Sequence, residues 1–429
     1  MALYCTALIG PPRLLEIFLV CVVIFLAIVI WSIKRHREPR LRIKSNAPLA
    51  ELLPSLAGLT HAVMVEGNSV ELFENGAFFD TLLADMARAE RSLHFETYLW
   101  EEGELSRRVT AALAERARAG VEVRVLVDAS GGDKMGKAAP RELIAAGCQF
   151  QLFHPRRLRN LGLQNERDHR KLVVIDGRVA FVGGHCVKDQ WLGEAQDRDH
   201  FRDLSVRLRG PIVHAAQACF SENWVEETGE LFVGEGVFPR LEAAGDVTMH
   251  IARAKPSGAA PAVKILHHLV LCMARKRIYL QNPYFIPGPA ALDAFCRAAK
   301  RGVDVRIMVP ATAASDMPFV QHAAHRNFDV LLAAGVRIFE YQRTLLHQKV
   351  LAVDGTWCAI GSSNFDDRSL EINDEITVGC ASERLTAELE AVFHRDAAHC
   401  VELEAGRWAR RGLWHRCRDN ASYLLKYQL

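Results

Sequence analysis

The sequence contains one pattern of chemically competent residues twice: a histidine, a lysine two positions later and an aspartate five positions beyond the lysine. The two copies are His169, Lys171 and Asp176, and His347, Lys349 and Asp354. Each copy is followed by a pair of small residues, Gly183-Gly184 and Gly361-Ser362. Phosphodiester chemistry without a metal needs such a set: one imidazole attacks phosphorus, another protonates the leaving oxygen, and ammonium groups stabilise the phosphate charge. The repeat therefore predicts reaction at a phosphodiester.

The same residues disfavour a metal site. A lysine between potential ligands repels a cation, and the sequence has no His-Glu-x-x-His motif. We therefore expect neither a metal nor another cofactor. Four further histidines are interpreted as ordinary helix positions: His267, His268, His322 and His325.

The motif residues need not all share one role. Side chains alternate along a strand, so a histidine and the lysine two positions later project from the same face. Asp176-Gly177 and Asp354-Gly355 are typical of hairpin turns. We therefore interpret the two aspartates of the catalytic motif first as turn or support residues.

A nucleophilic imidazole also needs a partner that fixes its tautomer. Alignment of the two halves places Asp203 opposite Glu375, each on a predicted strand that follows its own histidine, and we assign them that orienting role. Asn364 is a neutral donor expected to complete the phosphate cradle. Four other residues could belong to the site or the scaffold: Glu96, Asp366, Arg368 and Asn373.

The elements that position these residues are also duplicated. Gly120–Val127 resembles Gly302–Val309, and helical patterns precede both segments. Alternation of helices, glycines and β-rich runs predicts an α/β fold of two pseudo-symmetric lobes. The expected domains are an anchor and basic segment over 1–44, a first lobe over 45–235, a second lobe over 236–406 and a basic, aromatic tail over 407–429.

The N-terminal region departs from globular composition. Ile17–Ile33 is uncharged and Leu14 extends the run to about 20 residues, roughly enough to cross a bilayer. A cleaved signal peptide and a buried core helix are the alternatives, but no small-x-small cleavage site follows. Basic residues follow the run: Lys34, Arg35, Arg37, Arg40, Arg42 and Lys44. The pattern predicts a single-pass inner-membrane anchor with a cytoplasmic catalytic body.

Composition restricts the partners. The 429-residue chain has a net charge of only +2, which argues against a general nucleic-acid coat protein, and no nucleic-acid partner is expected. Its 11 cysteines show no Cys-x-x-Cys spacing, so they resemble buried apolar residues in a reducing compartment. The tail interleaves Trp408 and Trp414 with arginines, which favours contact with anionic lipid.

With these motifs the chain resembles the phospholipase D superfamily and, within it, bacterial cardiolipin synthases. The stretches that carry the resemblance, besides the motifs, are Phe95–Tyr98, Phe201–Pro211, Asn223-Trp224, Pro283–Pro287, Leu346–Lys349 and Gly361–Ser369. The resemblance implies two α/β lobes with one metal-independent active site between them. It also implies transfer of a phosphatidyl group to a histidine and then to an alcohol. Phosphatidylglycerol, or another phospholipid, would be the donor and a second lipid the acceptor.

One position departs from the family pattern. The first motif should end in asparagine, as the second does at Asn364, but the chain has Cys186 there, a weaker donor. His185 is the residue that could compensate. Two rival functions stay open: hydrolysis of phospholipid (or, with less support, nucleic acid) by the same site, and a membrane scaffold with a decayed site. We expect His169 to be the nucleophile, although the near-equivalent lobes do not decide it.

Overall fold

The computed structural model describes residues 11–33, 41, 43, 47–155, 165–256 and 261–424. The chain forms two units, residues 1–42 and residues 43–429. The first lobe contributes the strands β1 (Val65–Glu74), β2 (Ser92–Thr97), β3 (Glu122–Asp128), β4 (Gln149–Phe153), β5 (Leu172–Ile175), β6 (Val179–Gly183) and β7 (Leu204–Arg209). The second lobe contributes β8 (Val247–Ala254), β9 (Arg277–Gln281), β10 (Phe285–Ile286), β11 (Asp304–Pro310), β12 (Arg337–Tyr341), β13 (Val350–Val353), β14 (Trp357–Gly361), β15 (Phe365–Asp366), β16 (Glu375–Ala381) and β17 (Cys400–Glu402).

The helices alternate with these strands. They are α1 (Pro11–Ile33), α2 (Leu49–Leu59), α3 (Ala77–Met86), α4 (Glu104–Arg118), α5 (Ala138–Ala145), α6 (Val213–Thr228), α7 (Ala262–Met273), α8 (Pro289–Lys300), α9 (Pro318–Ala333), α10 (Asp367–Glu371), α11 (Glu383–Ala397), α12 (Ala405–Ala409) and α13 (Leu413–Tyr423). The expected lobe boundary near residue 235 falls between α6 and β8. The α/β alternation of the sequence is therefore present in both lobes.

One mixed sheet runs through both lobes. Within the described part of the chain it has 15 strands in the order β17-β12-β11-β9-β13-β14-β16-β8-β1-β7-β6-β5-β2-β3-β4. Read from the antiparallel β1–β8 pair, the order β1-β7-β6-β5-β2-β3-β4 is repeated by β8-β16-β14-β13-β9-β11-β12. The strands β2, β3 and β4 are parallel, as are β9, β11 and β12, and the inner strands are antiparallel. The two lobes thus share one topology and are related by a pseudo-twofold axis.

The core lies on both faces of the sheet. On one face α6 and α11 cover a single apolar cluster that includes Phe220, Trp224 and Phe393 and draws on strands of both lobes. On the other face each lobe has a separate core, under α3, α4 and α5 in the first and under α7, α8 and α9 in the second. Helix α2 departs from the expected division, because it follows residue 45 but inserts Leu49 and Leu56 into the core of the second lobe.

The repeated glycines end equivalent helices. Gly120 follows α4 with φ 91° and Gly302 follows α8 with φ 88°, a left-handed conformation that glycine adopts without steric cost. The next amide closes each cap: Val121 N donates to Arg116 O at 3.1 Å and Val303 N to Ala298 O at 3.1 Å. The glycine that precedes each of these strands in the sequence therefore marks the end of a helix.

The first unit contains α1, in which most of the described apolar side chains are exposed; Phe18 and Phe25 are each 64% accessible. When the described residues are searched, no helix among them is both long and apolar enough for a membrane span. The expected basic residues after α1, Lys34, Arg35, Arg37, Arg40, Arg42 and Lys44, lie outside the described residues.

The C-terminal tail is partly built into the second lobe. Trp408 is buried in that lobe's core, whereas Leu413 and Trp414 at the start of α13 are 79% and 77% exposed. Leu425 and Tyr427 of the expected lipid contact lie outside the described residues. The lipid contact itself stays a prediction.

Candidate active site

The two motif histidines lie where the lobes meet. Each precedes the hairpin strand of its lobe, β5 or β13, in an extended segment and not within the strand itself. The backbone of that segment pairs with the other lobe: His169 N donates to Asp374 O at 2.9 Å and His347 N to Arg202 O at 2.7 Å. Each histidine is therefore tied to the segment that carries the opposite lobe's carboxylate.

The carboxylate–imidazole pairs cross between the lobes. His169 Nδ1 lies 2.9 Å from Glu375 Oε1, and His347 Nδ1 lies 2.7 Å from Asp203 Oδ2. The sequence analysis gives both carboxylates the orienting role without specifying their partners, and in the structure each contacts the histidine of the opposite lobe. An internal repeat identifies equivalent residues but does not reveal that the twofold axis exchanges them. Because an ionised carboxylate only accepts, each Nδ1 carries the proton and Nε2 keeps its lone pair.

The small pair after each motif explains how the carboxylates come so close. A Cβ on Gly183 would lie 2.0 Å from Ser205 Oγ, and one on Gly184 would lie 2.2 Å from Asp203 Oδ1. A Cβ on Gly361 would similarly lie 2.2 Å from Ile376 O. In the second copy Ser362 replaces the second glycine, and its hydroxyl donates to Glu375. The small residues are thus required by close packing against the strand that follows.

Each carboxylate is held by further donors. Trp191 Nε1 donates to Asp203 Oδ2 at 2.7 Å, and Ser369 Oγ donates to Glu375 Oε1 at 2.6 Å. Burial raises the pKa of Glu375 to about 7 against the opposing effect of Lys171. Burial acts in the same sense on Asp203, but the His347 ring and Lys349 hold the pKa of that carboxyl below its ordinary value. Asp203 is therefore the stronger fixed negative charge.

Both imidazoles have lowered pKa values that favour the neutral ring near pH 7. Burial, and then Lys349, lower the pKa of His347 to about 4, against the opposing effect of Asp203. Burial together with Lys171 and Lys349 holds the pKa of His169 well below its usual range. A neutral imidazole with a free Nε2 is the form that attacks phosphorus.

The two lysines lie beside the imidazoles. Lys171 Nζ donates to His169 O and Lys349 Nζ to His347 O, both at 2.6 Å. Lys349 Nζ also lies 3.0 Å from His347 Nε2. Burial, reinforced by Lys171, lowers the pKa of Lys349 to about 8.

A single cleft of about 490 Å³ is lined by His169, Lys171 and His347. Lys349 adjoins it through its 3.0 Å contact with His347 Nε2. The wall of the cleft also includes Tyr98, Tyr284, Arg167, Lys188, Arg368, Cys186 and Asn364. Asn364 Oδ1 is buried without a hydrogen-bond partner among the described residues, so the amide is not committed to the scaffold. The arrangement provides two imidazoles, two ammonium groups and further cations around one space large enough for a phosphate group.

Asp366, Arg368 and Asn373, which could belong to the site or the scaffold, all line the cleft, and two of them also make scaffold contacts. Asp366 caps α10 by accepting from Ser369 N at 2.7 Å, and Arg368 donates to Asn165 across the lobes at 2.9 Å. Asn373 lines the cleft with them. Glu96 is fully buried and accepts from Asn223 Nδ2 at 2.9 Å, outside the cleft. Burial raises the pKa of Glu96 to about 7.

The motif aspartates Asp176 and Asp354 directly follow β5 and β13, at the strand ends opposite the imidazoles. Asp176 has φ 52° and Gly177 φ 62°, as a type I′ hairpin requires, and Asp354 and Gly355 repeat this at 57° and 75°. The Asp176 carboxylate accepts from the amides of Glu90, Arg91 and Ser92, with the shortest contact at 2.7 Å. The hydrogen bonds that the structure gives both carboxylates therefore go to backbone amides at the turn ends of the hairpins, which fits the support role expected from the sequence.

His185 does not replace the missing asparagine. Its Nδ1 pairs with Ser205 Oγ at 2.7 Å, its Nε2 lies 2.9 Å from Asn75 O, and its ring stacks on Phe78. Both ring nitrogens are thus occupied away from the cleft. Cys186 does line the cleft, and its thiol makes only a 3.9 Å contact with Gly184 O.

Sequence reasoning missed the residues behind the motifs. Arg170, between the histidine and lysine, is fully buried and donates to Cys219 O at 2.7 Å and Glu222 at 2.8 Å. Gln348, its counterpart, donates to Asp396 at 2.8 Å. Strand alternation alone would have placed both on the face opposite the imidazoles. Trp191 and Ser369, which hold the carboxylates, carried no such signal.

Comparison with known proteins supports this geometry. The family described as cardiolipin synthase, PLD-like domain, matches residues 82–200 and 270–397. A cardiolipin synthase of Staphylococcus aureus is 33% identical over 379 residues, which cover 87% of this chain and 76% of the relative. A cardiolipin synthase of Listeria innocua is 32% identical over 368 residues, covering 85% and 76%.

A solved structure shares the fold. The phosphatidylserine synthase of Haemophilus influenzae superposes with a TM-score of 0.68 at 13% identity, covering 87% of this chain and 98% of its own. This neighbour supports the two-lobed architecture, and the sequence relatives support the chemistry.

Proposed function

Because the chain belongs to the family of cardiolipin synthases with PLD-like domains, we propose that it moves a phosphatidyl group from phosphatidylglycerol, or another phospholipid, to a second lipid alcohol. One observation carries the proposal. Two neutral imidazoles, each with Nδ1 on a carboxylate of the other lobe, line one cleft with Lys171, and Lys349 Nζ lies 3.0 Å from His347 Nε2. This arrangement supports covalent transfer through a phosphohistidine.

His169 is the proposed nucleophile. Its Nε2 lone pair forms a bond to phosphorus, the bond from phosphorus to the leaving oxygen breaks, and His347 gives that oxygen a proton. His347 suits the acid role because Asp203, the carboxylate with the lowered pKa, stabilises an imidazolium better than Glu375, whose pKa is raised to about 7. Binding of the anionic phosphodiester favours the protonated ring.

The second half of the reaction reverses these roles. The acceptor alcohol gives its proton to His347 Nε2, its oxygen attacks phosphorus, and the bond to His169 breaks. Lys171, Lys349 and Asn364 hold the phosphoryl oxygens throughout. The same intermediate would yield phosphatidic acid if water replaced the alcohol.

Labelled phosphatidylglycerol distinguishes these outcomes. The purified full chain, in vesicles that contain the lipid, should release glycerol and form cardiolipin. Phosphatidic acid with glycerol would instead identify a hydrolase, and absence of turnover would identify a scaffold. His169→Ala and His347→Ala serve as controls, and each should abolish the reaction.

Membrane attachment belongs to the same proposal. The uncharged run Ile17–Ile33, with basic residues behind it, supports a single-pass inner-membrane anchor and a cytoplasmic body. Protease added to inside-out vesicles should digest the catalytic body. Digestion only from the periplasmic face would contradict this orientation.

A further inference from the structure

Two buried histidines and one aspartate converge outside the lining of the catalytic cleft. His322 and His325 lie on the same face of α9, one turn apart, and Asp419 reaches them from α13. Asp419 Oδ1 lies 3.2 Å from His322 Nδ1 and 3.7 Å from His325 Nδ1. The sequence predicts ordinary helix positions for these histidines. Both do lie in α9, but an ordinary position does not explain why they share the partner Asp419.

The contacts at Asp419 are not good hydrogen bonds. Neither His322 Nδ1 nor Asp419 Oδ1 has a hydrogen-bond partner among the described residues, although both atoms are buried and only 3.2 Å apart. Zinc bonds to nitrogen and oxygen are about 2.1 Å long, which places neighbouring tetrahedral ligands about 3.4 Å apart. The two observed separations, 3.2 and 3.7 Å, lie on either side of that edge.

The surrounding residues resemble an outer coordination shell. Glu340 Oε1 lies 3.3 Å from His325 Nε2, the nitrogen that a bound metal would leave free. Arg411 Nη1 donates to Asp419 Oδ2 at 2.7 Å, which leaves Oδ1 available. Metal-binding histidines and carboxylates are commonly oriented by such partners.

We propose that His322, His325 and Asp419 bind one divalent transition-metal ion, of which zinc is the representative, and that the ion fastens α13 to α9. Two imidazoles and one carboxylate are a donor set that suits zinc, and they leave a fourth position for water. The ion would bind apart from the reaction at His169 and His347, so the expectation of metal-free catalysis is unchanged. Without a metal, the same residues would form a histidine–carboxylate ion pair.

Metal stoichiometry tests the proposal independently of activity. The purified full chain, stripped with a chelator and titrated with Zn²⁺, should bind one ion per chain, and Co²⁺ should give the visible absorption of a four-coordinate site. His322→Ala/His325→Ala should lose this binding. His415→Ala, an exposed histidine on the same α13, is the matched control and should retain it.

A milder variant guards against misfolding. Glu340→Gln leaves all three ligands in place and should weaken Zn²⁺ binding about 10-fold, as loss of an outer-shell partner does. Zn²⁺ should also slow proteolysis of the wild-type chain within α13. Failure of the wild type to bind Zn²⁺, or equal binding by the double variant, would overturn the proposal and leave the ion pair as the explanation.

Discussion

At the scale of residues, the crossed pairing of carboxylates and imidazoles determines how the site is assembled. His169 depends on Glu375 and His347 on Asp203, so each half of the catalytic apparatus comes from both lobes. Substitutions should therefore group by pair and not by lobe.

Glu375→Gln should impair the step that forms phosphohistidine on His169, whereas Asp203→Asn should impair proton transfer by His347. Each should lower turnover by roughly 10²–10⁴-fold, because the imidazole loses its tautomer and its counter-charge. Trapping the phosphoenzyme after denaturation measures its formation, which both variants should slow, and chasing it with acceptor lipid measures its breakdown, in which His347 takes the proton of the alcohol. A phosphoenzyme found in His169→Ala but not in His347→Ala would reverse the assignment of nucleophile and acid.

Lys349 predicts an alkaline limit of activity. Its protonated form holds the phosphate, and burial lowers its pKa to about 8, so the charge is present below that pH and lost above it. The ratio kcat/KM of the wild type should therefore fall as pH rises through about 8. Lys349→Arg, which keeps its charge, should be slower but should not show this fall. An unchanged alkaline limit in that variant would assign the titration to another group.

The two motifs differ at one position of the phosphate cradle, which is Asn364 in the second and Cys186 in the first. Since the thiol lines the cleft with only one weak contact, Cys186→Asn should preserve or raise turnover by supplying an amide donor. Cys186→Ala, which supplies none, is the control. Complete loss of activity in the asparagine variant would show that the thiol has a role of its own.

At the scale of elements, the hairpins β5–β6 and β13–β14 support the histidines through turns that the motif itself encodes. Asp176 and Asp354 fix those turns, and their carboxylates accept hydrogen bonds from backbone amides at the starts of β2 and β9. Their function is mechanical, although they belong to the same motif as the imidazoles.

Asp176→Ala and Asp354→Ala should each lower the free energy of unfolding by about 1–3 kcal/mol, because the amides lose their acceptor and alanine is strained at positive φ. Urea denaturation measures the loss. Turnover per folded molecule should change little. A drop as large as that of His169→Ala would instead show that these aspartates act in catalysis.

The elements also show what the sequence could and could not predict. Gly120 and Gly302 marked helix ends, and the two Asp-Gly pairs marked turns, because these conformations depend on local backbone sterics. The packing of α2 into the second lobe and the contacts of Trp191 and Ser369 depend on distant parts of the chain. No local pattern records them. The roles assigned to the site residues remain predictions that the experiments above address.

At the scale of the whole molecule, two equivalent lobes form a single reaction site. The continuous sheet through β1 and β8 and the shared core under α6 and α11 fix the lobes to each other, and both motif histidines line one cleft. Duplication of the motif does not double the number of sites.

A rapid-quench experiment counts them. With excess phosphatidylglycerol, the glycerol released in the pre-steady-state burst, before a second lipid accepts the phosphatidyl group, should not exceed one equivalent per chain, because only one histidine carries phosphorus at a time. A burst of two equivalents would show that both histidines act as nucleophiles in the same cleft.

The crossed pairing also has a consequence for inheritance. A recombination event that exchanges one lobe between two related genes replaces a histidine together with the carboxylate that serves the resident histidine. Every chimera therefore contains two pairs in which the histidine and the carboxylate come from different parents. We expect substitutions near one histidine to be accompanied by substitutions in the opposite half of the gene.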